Sequence, residues 1–159
     1  MNVSDRILVV GGGPAGSAAA ISLAKAGYEV ILFEKGDYER DKTCGDGLIP
    51  DAQRALRTLG VFDTVRQEAL PISKFTVHAF NNIPFSFESD FYTLQRTRLD
   101  QILRDAAEEA GAEVLHNNTI DEIEVNRKVI VTDDKNKHYE GDCVILATGS
   151  NVTLAESLG

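Results

Sequence analysis

The chain is short of positive charge, of cysteine and of any clustered metal-binding side chain, and each shortage removes a class of function. Lysine and arginine number 16 against 25 aspartates and glutamates, a formal net charge of -9. It therefore lacks the positive field that nucleic acid or a broad anionic membrane surface requires. Two cysteines, Cys44 and Cys143, stand in unlike surroundings and make no disulfide framework, which favours a reducing compartment. His78, His116 and His138 are scattered, no group of Cys, His and carboxylates has metal-ligand spacing, and no Ser-His-Asp arrangement is visible, so no metal site is expected. There is no internal repeat and no low-complexity tract. The one basic cluster, Lys135 to His138, lies beside Asp133 and Asp134 and reads as a solvated hairpin turn. Arg6 before an apolar run and an Ala-rich stretch has the outline of a signal peptide. Gly11-Gly12-Gly13-Pro14 breaks the apolar core and Asp5 dilutes the basic end, so the expectation is no targeting or transmembrane segment and a cytoplasmic protein.

What is present is organised around Ile7 to Gly16, an apolar strand running into a glycine-rich turn and then a small-residue helix. Gly11, Gly13 and Gly16 have the spacing of the dinucleotide fingerprint: one glycine for the tight turn, one for close approach of backbone to a pyrophosphate, one for close helix-to-strand packing. Pro14 fits the first helical position, where a missing N–H costs nothing, and the helix N-terminus offers free N–H groups and a positive dipole end to phosphates. The helix from Pro14 to Ala26 is rich in alanine, Ala15 included, and stops at Gly27; the strand Glu29 to Phe33 follows. Glu34 ends it about 20 residues past the glycines, where the fingerprint places a carboxylate for the ribose hydroxyls. The same charge disfavours a 2'-phosphate, so the site reads as one for FAD or NAD, not NADP.

Lys35 to Leu48 is a polar, glycine-bearing loop, of a length that is functional or disordered in compact domains. Pro50 opens a helix striped by Ala52, Ala55, Leu56 and Leu59 and stopped by Gly60. Between residues 72 and 92 the period changes to two: Phe75, Val77 and Ala79, a turn at Asn81-Asn82, then Phe85 and Phe87. This is a β-hairpin, with Pro84 at an edge or strand start; its aromatics form a core face, wall a pocket of a second, substrate-side sheet, or do both. Thr93 to Ala110 is a helix with Leu99, Ile102, Leu103, Ala106, Ala107 and Ala110 on one face. Asp100, Gln101, Arg104, Asp105, Glu108 and Glu109 share the other face, Gly111 caps the end, and Gln95, Arg96 and Arg98 lie at the start. The strand Ala112 to Leu115 is followed by three alternating segments, Ile120 to Val125, Val129 to Thr132 and His138 to Gly141, which form a β-meander. Cys143 to Ala147 is a short apolar strand of the doubly buried kind, with Cys143 as a small buried hydrophobe, and it runs into Thr148-Gly149, where backbone can approach a cofactor closely.

Taken together, Gly11-Gly12-Gly13-Pro14-Ala15-Gly16 with Phe33-Glu34-Lys35, then Arg96-Thr97-Arg98-Leu99-Asp100, then Ala147-Thr148-Gly149, resemble the N-terminal part of FAD-dependent oxidoreductases of the aromatic-hydroxylase-like superfamily. The loop Arg40-Asp41-Lys42-Thr43-Cys44-Gly45-Asp46-Gly47-Leu48 looks like the Cys-Gly-Asp-Gly element of the geranylgeranyl reductase family. The fold expected is α/β: a Rossmann-type FAD-binding domain with a parallel sheet, a β-meander crossover and the start of a second, substrate-side sheet that takes the hairpin at 72–92.

The resemblance implies FAD as cofactor. Glu34 would bind the adenosine ribose beside Lys35, Arg40 and Arg96 would contact the diphosphate-ribityl region, Ile120 would lie near the adenine, and Ala147-Thr148-Gly149 would lie by the cofactor. Cys44, Gly45, Asp46 and Gly47 would lie near the isoalloxazine, with Cys44 as the one candidate catalytic residue. The implied reaction reduces isolated carbon-carbon double bonds of an isoprenoid-type small molecule or lipid, hydride to one carbon and a proton to the other, with electrons from an external donor such as NADPH or ferredoxin. The rivals are a flavin-dependent monooxygenase or halogenase, which shares the first and third motifs, and a non-catalytic nucleotide-binding fragment. Members of the family are much longer, and the downstream Gly-Asp element is absent, so residues 1–159 are expected to be an incomplete FAD-binding domain.

Overall fold

Strand, turn and helix follow one another as the switches of hydrophobic period require. The computed structural model describes residues 5–37, 44 and 46–158. In chain order the elements are β1 (Arg6–Val10), α1 (Pro14–Lys25), β2 (Glu29–Phe33), β3 (Gly47–Leu48), α2 (Pro50–Leu59), α3 (Phe62–Glu68), β4 (Leu70–His78) and β5 (Pro84–Thr93). They continue with α4 (Arg96–Glu109), β6 (Glu113–Leu115), β7 (Ile120–Val125), β8 (Val129–Asp133), β9 (His138–Gly141), β10 (Cys143–Leu146) and α5 (Thr153–Glu156). The chain divides into two units, one of Met1–Arg40 with Asp100–Gly159 and one of Asp41–Leu99. No described helix is long and apolar enough to cross a membrane.

The first unit is the Rossmann-type part. Its four-stranded parallel sheet has the order β10-β1-β2-β6, with Leu8 paired to Ile31 on one side and Val144 on the other. Parallel neighbours need a crossover, and α1 supplies it between β1 and β2. Alternate residues of a strand face opposite sides. Leu8, Val10, Ile31 and Phe33 point to one face and form a core with Ile120, Ile123, Val129, Val131 and Tyr139 of the antiparallel meander β7-β8-β9. The Tyr139 ring meets Phe33 edge-on, centroids 4.8 Å apart. Ile7, Val9, Val30 and Leu32 point to the other face, and α1, which contacts both β1 and β2, buries Gly16, Ser17, Ala20 and Ile21.

Asp133, at the end of β8, ties the meander together. Its Oδ1 accepts the N–H groups of Lys135 and Lys137 at 2.9 and 2.8 Å, and its Oδ2 accepts Asn118 Nδ2 at 2.9 Å and the Tyr139 hydroxyl at 3.2 Å. Burial works to raise its pKa, but these donors outweigh it and hold the carboxyl below its ordinary value.

The second unit contains the three-stranded antiparallel sheet β3-β5-β4. The expected hairpin is there, with Phe75 opposite Phe87 and Val77 opposite Phe85. As a core face it does not hold: those four side chains are 53, 54, 43 and 54% exposed, because no other described element covers that side. Helix α2 ends at Gly60 in the left-handed region, as expected. Helix α3 is an addition that the sequence reading did not include. It is anchored by Phe62 and Val65, both buried, with the Arg57 guanidinium over the Phe62 ring at 3.9 Å.

Three other expectations are corrected. Helix α4 starts at Arg96, not Thr93, because Thr93 is spent on β5, paired with Leu70 and Gly47. Asp100 and Arg104, read as part of the face opposite the apolar one, are buried, since they sit four apart on the flank of the helix beside Leu103 and Ala107. Cys143 is exposed rather than buried, because β10 is an edge of its sheet. Leu154 of α5 lies against the meander core.

Candidate functional site

The glycine turn is built by close approach. Gly11 has φ 109, open to glycine at no steric cost, and its N–H donates to Phe33 O at 2.8 Å. A Cβ there would stand 2.4 Å from Ala147 O, so the chain after β10 is pressed against the turn. A Cβ on Gly16 would stand 1.8 Å from Gly11 O, and this brings α1 down onto the turn. Gly13 precedes the helix in extended conformation, Pro14 and Ala15 open it, and no side chain among the described residues caps it. The first-turn N–H groups of a helix have no partner within the helix, which leaves them to a ligand at this end.

Glu34 is 1% exposed and stands directly after β2. Its Oε2 accepts Gly12 N–H at 2.8 Å and its Oε1 accepts Gly36 N–H at 2.9 Å, so two backbone donors turn the carboxylate over the glycine turn. Lys35 beside it is exposed. Ala147, whose N–H donates to Val10 O at 2.8 Å, Thr148, whose hydroxyl donates to Asn151 O, and Gly149 follow β10 at the same end of the sheet. This is the carboxyl edge of a parallel sheet, where open α/β folds take ligands. Ile120 is at the start of β7 with its side chain in the meander core, so what it can offer a cofactor is main chain.

Cys44, Asp46, Gly47 and Arg96 belong to the second unit. Cys44 is exposed. Asp46 has φ 52 and its Oδ1 accepts the N–H of Arg96 at 3.2 Å, while its carbonyl accepts Leu94 N–H at 3.1 Å. The aspartate of the Cys-Gly-Asp-Gly element thus caps α4, and Gly47 pairs with Thr93 in β3. Arg40 and Gly45 lie outside the described residues.

Three residues at the turn escaped the sequence reading. Gly12 is the unlabelled position of the fingerprint; Ser17, fully buried, donates its hydroxyl to Gly12 O at 3.3 Å; Arg104, 2% exposed, donates Nη1 to the same oxygen at 3.3 Å. The signal available for Arg104 was its place on the flank of the apolar stripe. His116, near this group, has its pKa lowered first by burial and then by the charge of Arg104, against the pull of Glu108, Glu34 and Asp105.

Residues 5–158 match the family model described as FAD binding domain. The chain belongs to that family. The FAD binding domain so identified is of the aromatic-hydroxylase-like oxidoreductase type, wider than the geranylgeranyl reductase branch, and its cofactor is FAD. The cradle fits it: the turn has no room for a Cβ at Gly11 or Gly16, and a carboxylate is turned over it. The chain is similar to a menaquinone reductase of Mycolicibacterium smegmatis, 35% identical over 170 positions, covering 100% of this chain and 41% of that protein. It is 37% identical over 109 residues to digeranylgeranylglycerophospholipid reductase 2 of Methanopyrus kandleri, covering 68% of this chain and 27% of that one. Among solved structures, the peptidyl tryptophan dihydroxylase QhpG aligns with TM-score 0.75 and 28% identity over 93% of this chain and 33% of its own. The chain thus spans less than half the length of the relatives it matches.

Proposed function

We propose that this chain holds the ADP half of FAD in a flavoprotein oxidoreductase. The observation that carries the reading is the buried Glu34 carboxylate fixed 2.8 Å from Gly12 N at the end of β2. In this reading Glu34 accepts the ribose hydroxyls, the α1 N-terminus and its dipole receive the diphosphate, and Ala147 to Gly149 border the cofactor with main chain. The family resemblance assigns Lys35 to the ribose beside Glu34, Arg40 and Arg96 to the diphosphate-ribityl region and Cys44 to Gly47 to the isoalloxazine; within the second unit, Asp46 accepts the N–H of Arg96. When bound, FAD supplies the redox chemistry, and the chain supplies position and electrostatics. Calorimetric titration with ADP, FAD and NADP tests this: ADP and FAD bind and NADP competes poorly, whereas no binding of ADP or FAD at millimolar ligand to folded protein refutes it.

Two reactions divide on what takes electrons from the cofactor. Oxygen activation, as in a flavin monooxygenase or halogenase, is supported by the likeness to a peptidyl tryptophan dihydroxylase over nearly the whole chain. Reduction of isoprenoid double bonds is the second reading. It is supported by the relatives named menaquinone reductase and digeranylgeranylglycerophospholipid reductase and by the Cys44 to Gly47 element, with NADPH or ferredoxin as electron source. The FAD-loaded protein is reduced without oxygen and mixed with a geranylgeranyl compound. Loss of double bonds by mass spectrometry favours the reductase; oxygen-dependent hydroxylation or halogenation with no such loss favours the first reading.

A further inference from the structure

We propose that Arg104 is a positioning residue for the nucleotide diphosphate: from beneath the glycine turn it draws the Gly12 carbonyl inward and so aims the Gly13 N–H outward. This deepens the nucleotide-binding reading above and rests on it.

Gly12 is held on both of its peptide groups by buried side chains. Its N–H is taken by Glu34 Oε2 at 2.8 Å, and its carbonyl oxygen accepts both Arg104 Nη1 and Ser17 Oγ at 3.3 Å. In a trans peptide the carbonyl and the following N–H point in opposite directions, and the structure has no cis peptide among its described residues. A carbonyl pulled toward α4 therefore turns the N–H of Gly13 away from α4. Gly13 is the residue that precedes the uncapped N-terminus of α1, the end that receives an anion in this fold.

Charge adds to geometry. The chain carries a formal charge of -9 and Glu34 sits at the turn itself, both unfavourable to an incoming diphosphate. At 2% exposure the Arg104 guanidinium is poorly screened. The His116 pKa is lowered first by burial and then by the charge of Arg104, against the pull of Glu34. Arginine suits the position because its planar fork can hold a carbonyl while its remaining donors serve other groups, which a lysine ammonium on a flexible stem does less well.

The test compares Arg104→Met and Arg104→Lys with the parent chain, by calorimetry with ADP and with adenosine. Arg104→Met weakens ADP on the order of tenfold to a hundredfold, the range for a lost hydrogen bond to a charged group, and changes adenosine by less than about threefold in the same bookkeeping. Arg104→Lys recovers part of the loss for ADP. A folded Arg104→Met that binds ADP as the parent does, or that loses ADP and adenosine in equal proportion, overturns the proposal and leaves the nucleotide-binding reading standing. Should Arg104→Met not fold, the amide resonance of Gly13 in Arg104→Lys and Ser17→Ala decides: it shifts in both if the carbonyl is held as described, and an unmoved resonance overturns the proposal. A parent chain that binds no ADP removes the underlying reading and this one with it.

Discussion

The Cβ that Gly16 lacks would stand 1.8 Å from the carbonyl oxygen of Gly11. Helix and turn are in backbone contact, and the obstructing atom cannot rotate away as a side chain would. Gly16→Ala must push α1 off the sheet, and overpacking of this kind costs about 1–3 kcal/mol. Urea denaturation should show a lower midpoint, and ADP affinity should fall with it. An unchanged midpoint would contradict the packing described.

Glu34→Ala strips the partner from two backbone donors, Gly12 N–H and Gly36 N–H. Removing a charge-assisted acceptor costs about 1–3 kcal/mol, expected in unfolding free energy and again in ADP affinity. Glu34→Gln keeps an acceptor for one of them and should be milder in stability. Chemical denaturation and calorimetry on the same preparations separate the two effects.

The Asp133 carboxyl is held below its ordinary value of 3.8. A carboxyl with a depressed folded pKa contributes stability that is fully present above the unfolded value and lost as pH falls through the folded one. Acid unfolding should therefore begin below about pH 3.8 with the meander involved. In Asp133→Asn that part of the acid dependence should disappear, while the thermal midpoint at neutral pH drops because an amide cannot accept all four donors. Thermal melts from pH 2 to 7 check both.

His116 has its pKa lowered from 6.5, first by burial and then by Arg104. The unfolded chain takes up this proton at about pH 6.5 and the folded chain only at lower pH. Stability from this group is complete above about 6.5, declines as pH falls, and levels off once the folded imidazole is protonated. Urea midpoints across that range should slope downward toward acid, and His116→Gln should flatten the slope.

Asp46 caps α4 through Arg96 N–H. Asp46→Ala removes the acceptor and places alanine at φ 52, so a loss of about 0.5–2 kcal/mol for the cap is joined by the cost of a left-handed residue with a Cβ. Asp46→Gly loses the cap but not the backbone fit. A denaturation series of the two variants should rank alanine below glycine.

Some of this was local enough to be read along the chain. The alternation of Phe75, Val77, Phe85 and Phe87, the glycine spacing from Gly11 to Gly16 and the placement of Glu34 each depend on a period or a turn requirement that a few neighbouring residues impose, so strands, hairpin and glycine turn were legible from the amino-acid order. What those residues are buried against was not local. Arg104 and Gly12 are 92 positions apart, and a charged residue beside an apolar stripe looks the same in sequence whether it meets water or a carbonyl. Cys143 read as buried from its apolar neighbours, yet strand order put β10 at a sheet edge. Phe62 is held by α2 and β5, through the Arg57 guanidinium and the Tyr92 ring, neither of which is a periodic neighbour of it in the sequence. Periodicity sets which residues share a face; the packing of elements distant in the chain decides what that face meets, because burial free energy depends on the partner surface as much as on the residue.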